Sequence, residues 1–362
     1  MAESYENVQF KTLDGTVLRG RLYPAAQRGP AVILSPGYNV TISIFPPGVP
    51  EELQKSGITA LVYDPRNTGT SGGFPRNHID PFAQVEDYSD AWCYLSTLAI
   101  VDRAAIFYWG ISLSAGIALA AASVDRRIAG VIAIAPIFKF LPVTEADARR
   151  LKSKMAKDRE AQLLRGEEGY VLPIMESLAE IPFNSHVNAN LNGSNGASVG
   201  DDAEANGVNG MSQNAGEEGD SNDEGGGLTH NAYGTTIQSY HRMFLFEPVP
   251  EAMAREIHPT PCMFLTPEQD QISPPEKQTA VFESLRGPNK RQHFAPGKEH
   301  VYVLHGPEMP LLMKWQVEFI WQVCTIQLAI INVTIYRLSY DVVALDVLQA
   351  QITDPIATAE SA

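Results

Sequence analysis

The chain has 362 residues, 44% of them hydrophobic, which suits one large core with insertions rather than a string of small domains. Its formal net charge is −15, and eight acidic residues (Asp201, Asp202, Glu204, Glu217, Glu218, Asp220, Asp223 and Glu224) lie in a stretch free of Lys and Arg; no basic stripe is left to displace counterions from a nucleic acid. Three scattered cysteines, Cys93, Cys262 and Cys324, do not make a disulfide framework and suit the reducing cytoplasm, and no secretory leader or run of about 18 apolar residues points to a membrane.

The first elements read as a hairpin. Val8–Leu13 and Val17–Tyr23 roughly alternate apolar and polar residues around Asp14-Gly15, a strong two-residue turn signal. Three short apolar runs follow, Ala31–Leu34, Thr59–Tyr63 and Ala105–Trp109, separated by helical sequence. That alternation predicts a mostly parallel sheet with helices on both faces. Asp80 and Pro81 mark one helix start, as cap and first turn, with an expected end near Leu98. Leu113–Ser123 is a run of small, mostly apolar residues that suits a helix packed tightly on the sheet, and Ile128–Ala135 reads as the next buried strand.

Regular alternation then stops. Residues 5–136 are the first part of the core, and 137–257 an insertion of lid type. The insertion opens with a charged helical segment, Glu145–Leu164. Its part from about 184 to 231 is dominated by Asn, Gly, Ser and acidic residues and is expected to be disordered, because it buries too little to offset its ordering entropy. Core sequence resumes over 258–324, with strands near Cys262–Thr266 and Lys290–Phe294, a helix near Glu276–Leu285, and a last helix ending around Val323. Residues 325–362 fit an extra strand, a docking helix or an unfolded extension equally well.

Chemistry concentrates at the ends of the expected strands. Trp109-Gly110-Ile111-Ser112-Leu113-Ser114-Ala115-Gly116 joins a buried strand to a small-residue helix, the context in which a sharp turn projects a serine hydroxyl above a sheet. Ser114 stands where a second glycine is usual. A rival register centres Ser114 instead, and a plain serine cap is the bland alternative; the position at the strand end favours Ser112.

Serine becomes a useful nucleophile only when a base takes its proton, and the base needs a carboxylate to set its tautomer. Asp270 follows the Cys262–Thr266 strand, with Glu268 as its nearest competitor. His300 follows the next strand, in preference to His293 inside that strand and His305 deeper in the following segment. The chain order Ser112, Asp270, His300 is that of a nucleophile, acid and base on this type of sheet. For a developing oxyanion, the expected donors are the N–H of Leu113, directly after the serine, and that of Tyr38 in Ser35-Pro36-Gly37-Tyr38-Asn39. A Pro-Gly turn is the bland reading of the latter, with the Tyr38 ring lining an acyl pocket as another. Asp64 and Arg66, in Asp64-Pro65-Arg66-Asn67-Thr68-Gly69-Thr70-Ser71, read as loop-fixing residues. No His or carboxylate spacing implies a metal, and no cofactor is expected.

These motifs together resemble the fungal polyketide-transferase family, α/β-hydrolase proteins of secondary-metabolite gene clusters. Besides the segments around Tyr38, Asp64 and Ser112, the resemblance rests on Ile79-Asp80-Pro81, Val85-Glu86-Asp87-Tyr88, Thr236-Ile237-Gln238-Ser239-Tyr240 and Asp270-Gln271-Ile272-Ser273-Pro274-Pro275. It implies an α/β-hydrolase fold and an acyltransferase or thiohydrolase that takes a polyketide acyl chain from a synthase carrier domain through an acyl-serine. It also implies Ser112, Asp270 and His300 as the catalytic triad. A carboxylester hydrolase unrelated to polyketides and a hydrolase-fold binding protein without catalysis are the two other readings.

Overall fold

Asp14-Gly15 does turn a hairpin, within a loop closed by Thr12 N–H on the Thr16 carbonyl at 2.9 Å. In the computed structural model, which describes residues 4–139, 145–172, 234–287, 289–327 and 329–330, β1 (Glu6–Lys11) pairs antiparallel with β2 (Val17–Tyr23), from Glu6 opposite Leu22 to Lys11 opposite Val17. Six further strands extend it: β3 (Gly29–Ser35), β4 (Thr59–Tyr63), β5 (Val101–Ile111), β6 (Gly130–Ile134), β7 (Cys262–Pro267) and β8 (Lys290–Ala295). Among the described residues they form one eight-stranded sheet in the order β1-β2-β4-β3-β5-β6-β7-β8. Only the β1/β2 and β2/β4 pairings are antiparallel. The continuous apolar runs explain this: β4, β6 and β7 are buried along their whole length, as strands covered on both faces must be.

Alternation along β5 shows how the faces are covered. Phe107 and Trp109 point into a cluster with Val49 and Leu53 of α1 (Val49–Lys55) and with Leu312, Met313, Phe319, Ile320 and Val323 of a helix over 309–327. Trp109 also donates through Nε1 to Gln316 Oε1 at 2.7 Å, so its one polar atom is satisfied inside that cluster. Tyr108 points the other way. Its ring lies 5.0 Å from that of Tyr88 on α2 (Pro81–Leu95), and its hydroxyl donates to Asp125 at 2.7 Å. On the same side α3 (Leu113–Val124) is buried from Leu113 to Ser123, which only its small residues permit.

The Asp80 side chain caps α2, accepting from Phe82 and Ala83 N–H. The helix ends at Leu95 rather than Leu98, because Ser96 and Thr97 turn their hydroxyls back onto the Cys93 and Tyr94 carbonyls and compete with the backbone ladder. Asp64 and Arg66 fix the loop after β4. Asp64 accepts from the N–H groups of Ile42 and Thr70 at 2.7 Å each, and Arg66 forks onto Asp87 at 2.8 and 2.5 Å while reaching Asp14 at 2.7 Å.

The chain divides into two compact units, Met1–Phe140 with Ser239–Ala362, and Leu141–Gln238. In the second, α4 (Glu145–Arg165) is the charged helix expected from sequence, with Leu151, Met155, Asp158 and Ala161 buried. Asp158 accepts from Tyr170 N–H and from the side chains of Gln162 and Gln238, each at 2.7 Å. Val171–Leu172 pairs antiparallel with Thr235–Thr236. The stretch 184–231 lies outside the described residues. So does most of 325–362, although the last helix runs to 327, past the expected Val323.

After the insertion, α5 (Ile237–Phe246) and α6 (Val249–Ala254) lead back to the sheet, and α7 (Pro275–Ser284) joins β7 to β8. Among the described residues, no helix is long and apolar enough to cross a membrane, no three His, Cys, Asp or Glu side chains gather as a metal site, and the three cysteines are unpaired.

Candidate active site

β5 ends at Ile111 and α3 begins at Leu113, so the reversal falls on Ser112 alone. Its backbone sits at φ 62°, ψ −121°, a conformation that side chains rarely adopt and that the surroundings must hold in place. They do so by bonding both of its backbone groups: Ser112 N–H donates to the Ile134 carbonyl at 2.9 Å, and its carbonyl accepts from Ala115 N–H at 3.1 Å and Ile137 N–H at 3.3 Å. Gly110 is required by close approach, since a Cβ there would lie 2.2 Å from the Ser114 carbonyl oxygen. No such demand applies two residues after Ser112. Ser114 fits there, 2% exposed, with its hydroxyl donating to the Pro36 carbonyl and lying 3.3 Å from Ser35 Oγ.

Ser112 Oγ lies 2.8 Å from His300 Nε2, and His300 Nδ1 lies 2.8 Å from Asp270 Oδ2. Ser114, the rival serine, is instead engaged with the loop after β3. Asp270 is 3% exposed and acceptor-only as a carboxylate; Oδ1 takes the N–H groups of Ile272 (2.9 Å) and Ser273 (2.7 Å), and Oδ2 takes Gln278 Nε2 (3.0 Å) beside His300. A carboxylate on Nδ1 places the imidazole proton there and leaves Nε2 as an acceptor for the serine hydroxyl.

The loops carrying the acid and the imidazole are tied to the sheet and to each other. Ser273 Oγ donates to the Pro136 carbonyl, just beyond β6, at 2.6 Å. Glu268, the competing carboxylate, accepts from Gly297 N–H at 2.9 Å, and Gln269 N–H reaches the Lys298 carbonyl at the same distance. Lys298 in turn pairs with Glu308 at 2.5 Å and donates to the His305 carbonyl at 2.6 Å. Glu268 therefore holds the turn that leads into His300. His293 stacks on Trp315 with ring centroids 4.5 Å apart, its pKa lowered by burial and then by Arg291, while His305 makes an edge contact with Tyr302.

Leu113 opens α3, so its N–H has no acceptor within the helix. Gly37 lies against Ser112. A Cβ on it would come within 3.1 Å of Ser112 Cβ and 3.2 Å of the Ile111 carbonyl, which brings the 37–38 peptide alongside the serine. The Tyr38 hydroxyl lies 3.1 Å from that of Tyr240, a buried residue of α5. That helix is pinned further by Ser239 Oγ, which accepts from Ile79 N–H at 2.9 Å, and by Arg242, 2.6 Å from Asp80.

Gln278 is the residue that sequence reasoning missed. It shares the buried face of α7 with Val281, so a polar side chain three residues before an apolar one on a helix was the available signal.

A mostly parallel sheet with a serine at a strand-to-helix elbow, and an aspartate and histidine on the two later loops, defines the α/β-hydrolase class. The chain belongs to the α/β-hydrolase family of enzymes: the family model for the alpha/beta hydrolase fold matches residues 30–307. It is 39% identical over 315 residues to a thiohydrolase of Eupenicillium brefeldianum, covering 87% of this chain and 93% of that protein. It is 35% identical over 327 residues to the polyketide transferase claH of Penicillium crustosum, covering 88% and 97% respectively. The crystal structure of the α/β hydrolase GrgF from Penicillium sp. sh18 matches with a TM-score of 0.69 and 29% identity over 88% of this chain and 98% of that one. These relatives are the fungal group that the sequence motifs resemble.

Proposed function

We propose that this protein transfers or hydrolyses a polyketide acyl thioester through an acyl-Ser112 intermediate. The observation that carries the reading is the continuous hydrogen-bonded chain Ser112–His300–Asp270, with 2.8 Å at each link. His300 Nε2 takes the Ser112 proton as Oγ attacks the thioester carbonyl, and the Leu113 and Tyr38 N–H groups receive the oxyanion. Collapse breaks the carbon–sulfur bond, and the leaving sulfur takes the proton from Nε2 and departs as the free thiol, which returns His300 to its neutral form. His300 then removes a proton from an alcohol or from water, which attacks the acyl-serine and frees Ser112. Asp270 holds the ring in the tautomer that both half-reactions need.

The names of the relatives support the substrate class, thiohydrolase in one case and polyketide transferase in the other. The acyl chain arrives on a synthase carrier domain in this reading, in the cytoplasm, which suits a chain with three unpaired cysteines. Residues 137–257, inserted between the serine-bearing and acid-bearing parts of the core, act as the lid that selects the acyl chain.

The test is to treat the purified protein with a fluorophosphonate and, separately, with a polyketide-like acyl thioester. Labelling at Ser112 is expected, with turnover at least about 10⁴-fold lower in Ser112→Ala. Undiminished turnover in that variant, with no label on Ser112, would overturn the mechanism. An added alcohol separates transfer from hydrolysis by the product formed.

A further inference from the structure

We infer that Ser114 is a positioning residue for the oxyanion loop: its hydroxyl holds Ser35-Pro36-Gly37-Tyr38 so that the Tyr38 N–H stays aimed at the carbonyl under attack. The inference rests on the reading of Ser112 as the acylated serine.

Three observations combine. Glycine at 37 lets the loop sit this close, because a Cβ would come within 3.1 Å of Ser112 Cβ and push the loop outward by a few tenths of an ångström. Glycine, however, leaves the 37–38 peptide free to rotate, so the missing side chain that lets the loop approach Ser112 also leaves the donor unfixed. The neighbouring anchor is the Pro36 carbonyl, which accepts from the Ser114 hydroxyl. A hydroxyl has a single proton, so with that proton on Pro36 the 3.3 Å contact between Ser35 Oγ and Ser114 Oγ is donated by Ser35.

Ser35 and Ser114 are 4% and 2% exposed, so water is not at hand to replace either bond. The Tyr88 hydroxyl closes over the elbow from α2, donating to the Trp109 carbonyl at 2.8 Å and lying 3.4 Å from the Ser114 carbonyl. The usual glycine of the elbow would fit at this position and would leave Pro36 without its partner. The departure from the motif is thus what fixes the second oxyanion donor.

The experiment uses the full chain with Ser114→Ala and Ser114→Gly. For each, kcat and KM are measured with an acyl thioester, together with the affinity for a long-chain trifluoromethyl ketone, whose serine adduct carries an oxyanion, and for a non-reacting thioether. Both variants are expected to lose about 10- to 100-fold in kcat, with KM within about twofold. Trifluoromethyl ketone affinity should fall in proportion to kcat. Unchanged thioether binding reports an intact acyl site. Wild-type kcat in either variant, or a kcat loss with ketone affinity unchanged, overturns the inference. Ser112→Ala run in parallel separates the two failures: if it stays active, the acyl-serine reading has failed, whatever Ser114 does.

Discussion

Replacing Asp270 by Asn tests the acid without changing its size. Four donors converge on this carboxylate, Ile272 and Ser273 N–H on Oδ1, and Gln278 Nε2 and His300 Nδ1 on Oδ2. An amide offers one oxygen and one NH₂, so in either orientation two donors face a donor. The least costly escape turns the NH₂ toward His300, whose Nδ1 then accepts and whose proton moves to Nε2. That proton points at Ser112 Oγ, 2.8 Å away, and the imidazole can no longer take the serine's own. The expected loss in kcat is about 10⁴-fold, or about 5.5 kcal/mol of barrier, with KM little changed. Gln278→Leu removes one donor of the four and leaves the tautomer intact, so about a tenfold loss is expected, in keeping with one hydrogen bond to a charged group. The assay is release of free thiol from an acyl thioester, followed beside thermal melting of each variant. Asp270→Asn retaining more than about a tenth of wild-type kcat, or Glu268→Gln losing as much as Asp270→Asn, would refute the reasoning.

The two glycines near Ser112 should fail differently. Gly37→Ala pushes its loop outward by a few tenths of an ångström and should lower kcat about tenfold at nearly constant stability; Gly110→Ala drives a Cβ into the Ser114 backbone and should cost about 3 kcal/mol in denaturant unfolding. Burial works against ionising Asp125, yet Arg127, Tyr108, the Arg127 N–H and Ser89 outweigh it and lower its pKa from 3.8 to about 2. Because the folded value is the depressed one, this stabilisation, about 2 kcal/mol, is full above pH 3.8 and is lost as pH falls through about 2. The gap in unfolding midpoint between the wild type and Asp125→Asn should therefore close over that range.

The amino-acid sequence by itself determined the parallel sheet, its hairpin entry and the chain order of serine, acid and histidine. Apolar runs of strand length alternating with helical segments leave few other ways to bury the same surface, and the chemistry-bearing residues fall in turns just beyond strand ends. Local chemistry was legible too: Asp80 as a cap and Gly110 before a sharp turn follow from backbone sterics within a few residues. What only the tertiary structure decided depends on contacts between segments far apart in the chain. The strand end favours Ser112 over Ser114, but no local sequence brings a base to either; folding brings one to His300, 188 residues away, and the other to Pro36. Asp270 and Glu268 are likewise separated by which loop each faces, and Gln278 joined the site only because one face of α7 packs beneath the acid. Periodicity states which side chains are buried, while the partner each one meets is set by the register of a sheet assembled from segments across the chain.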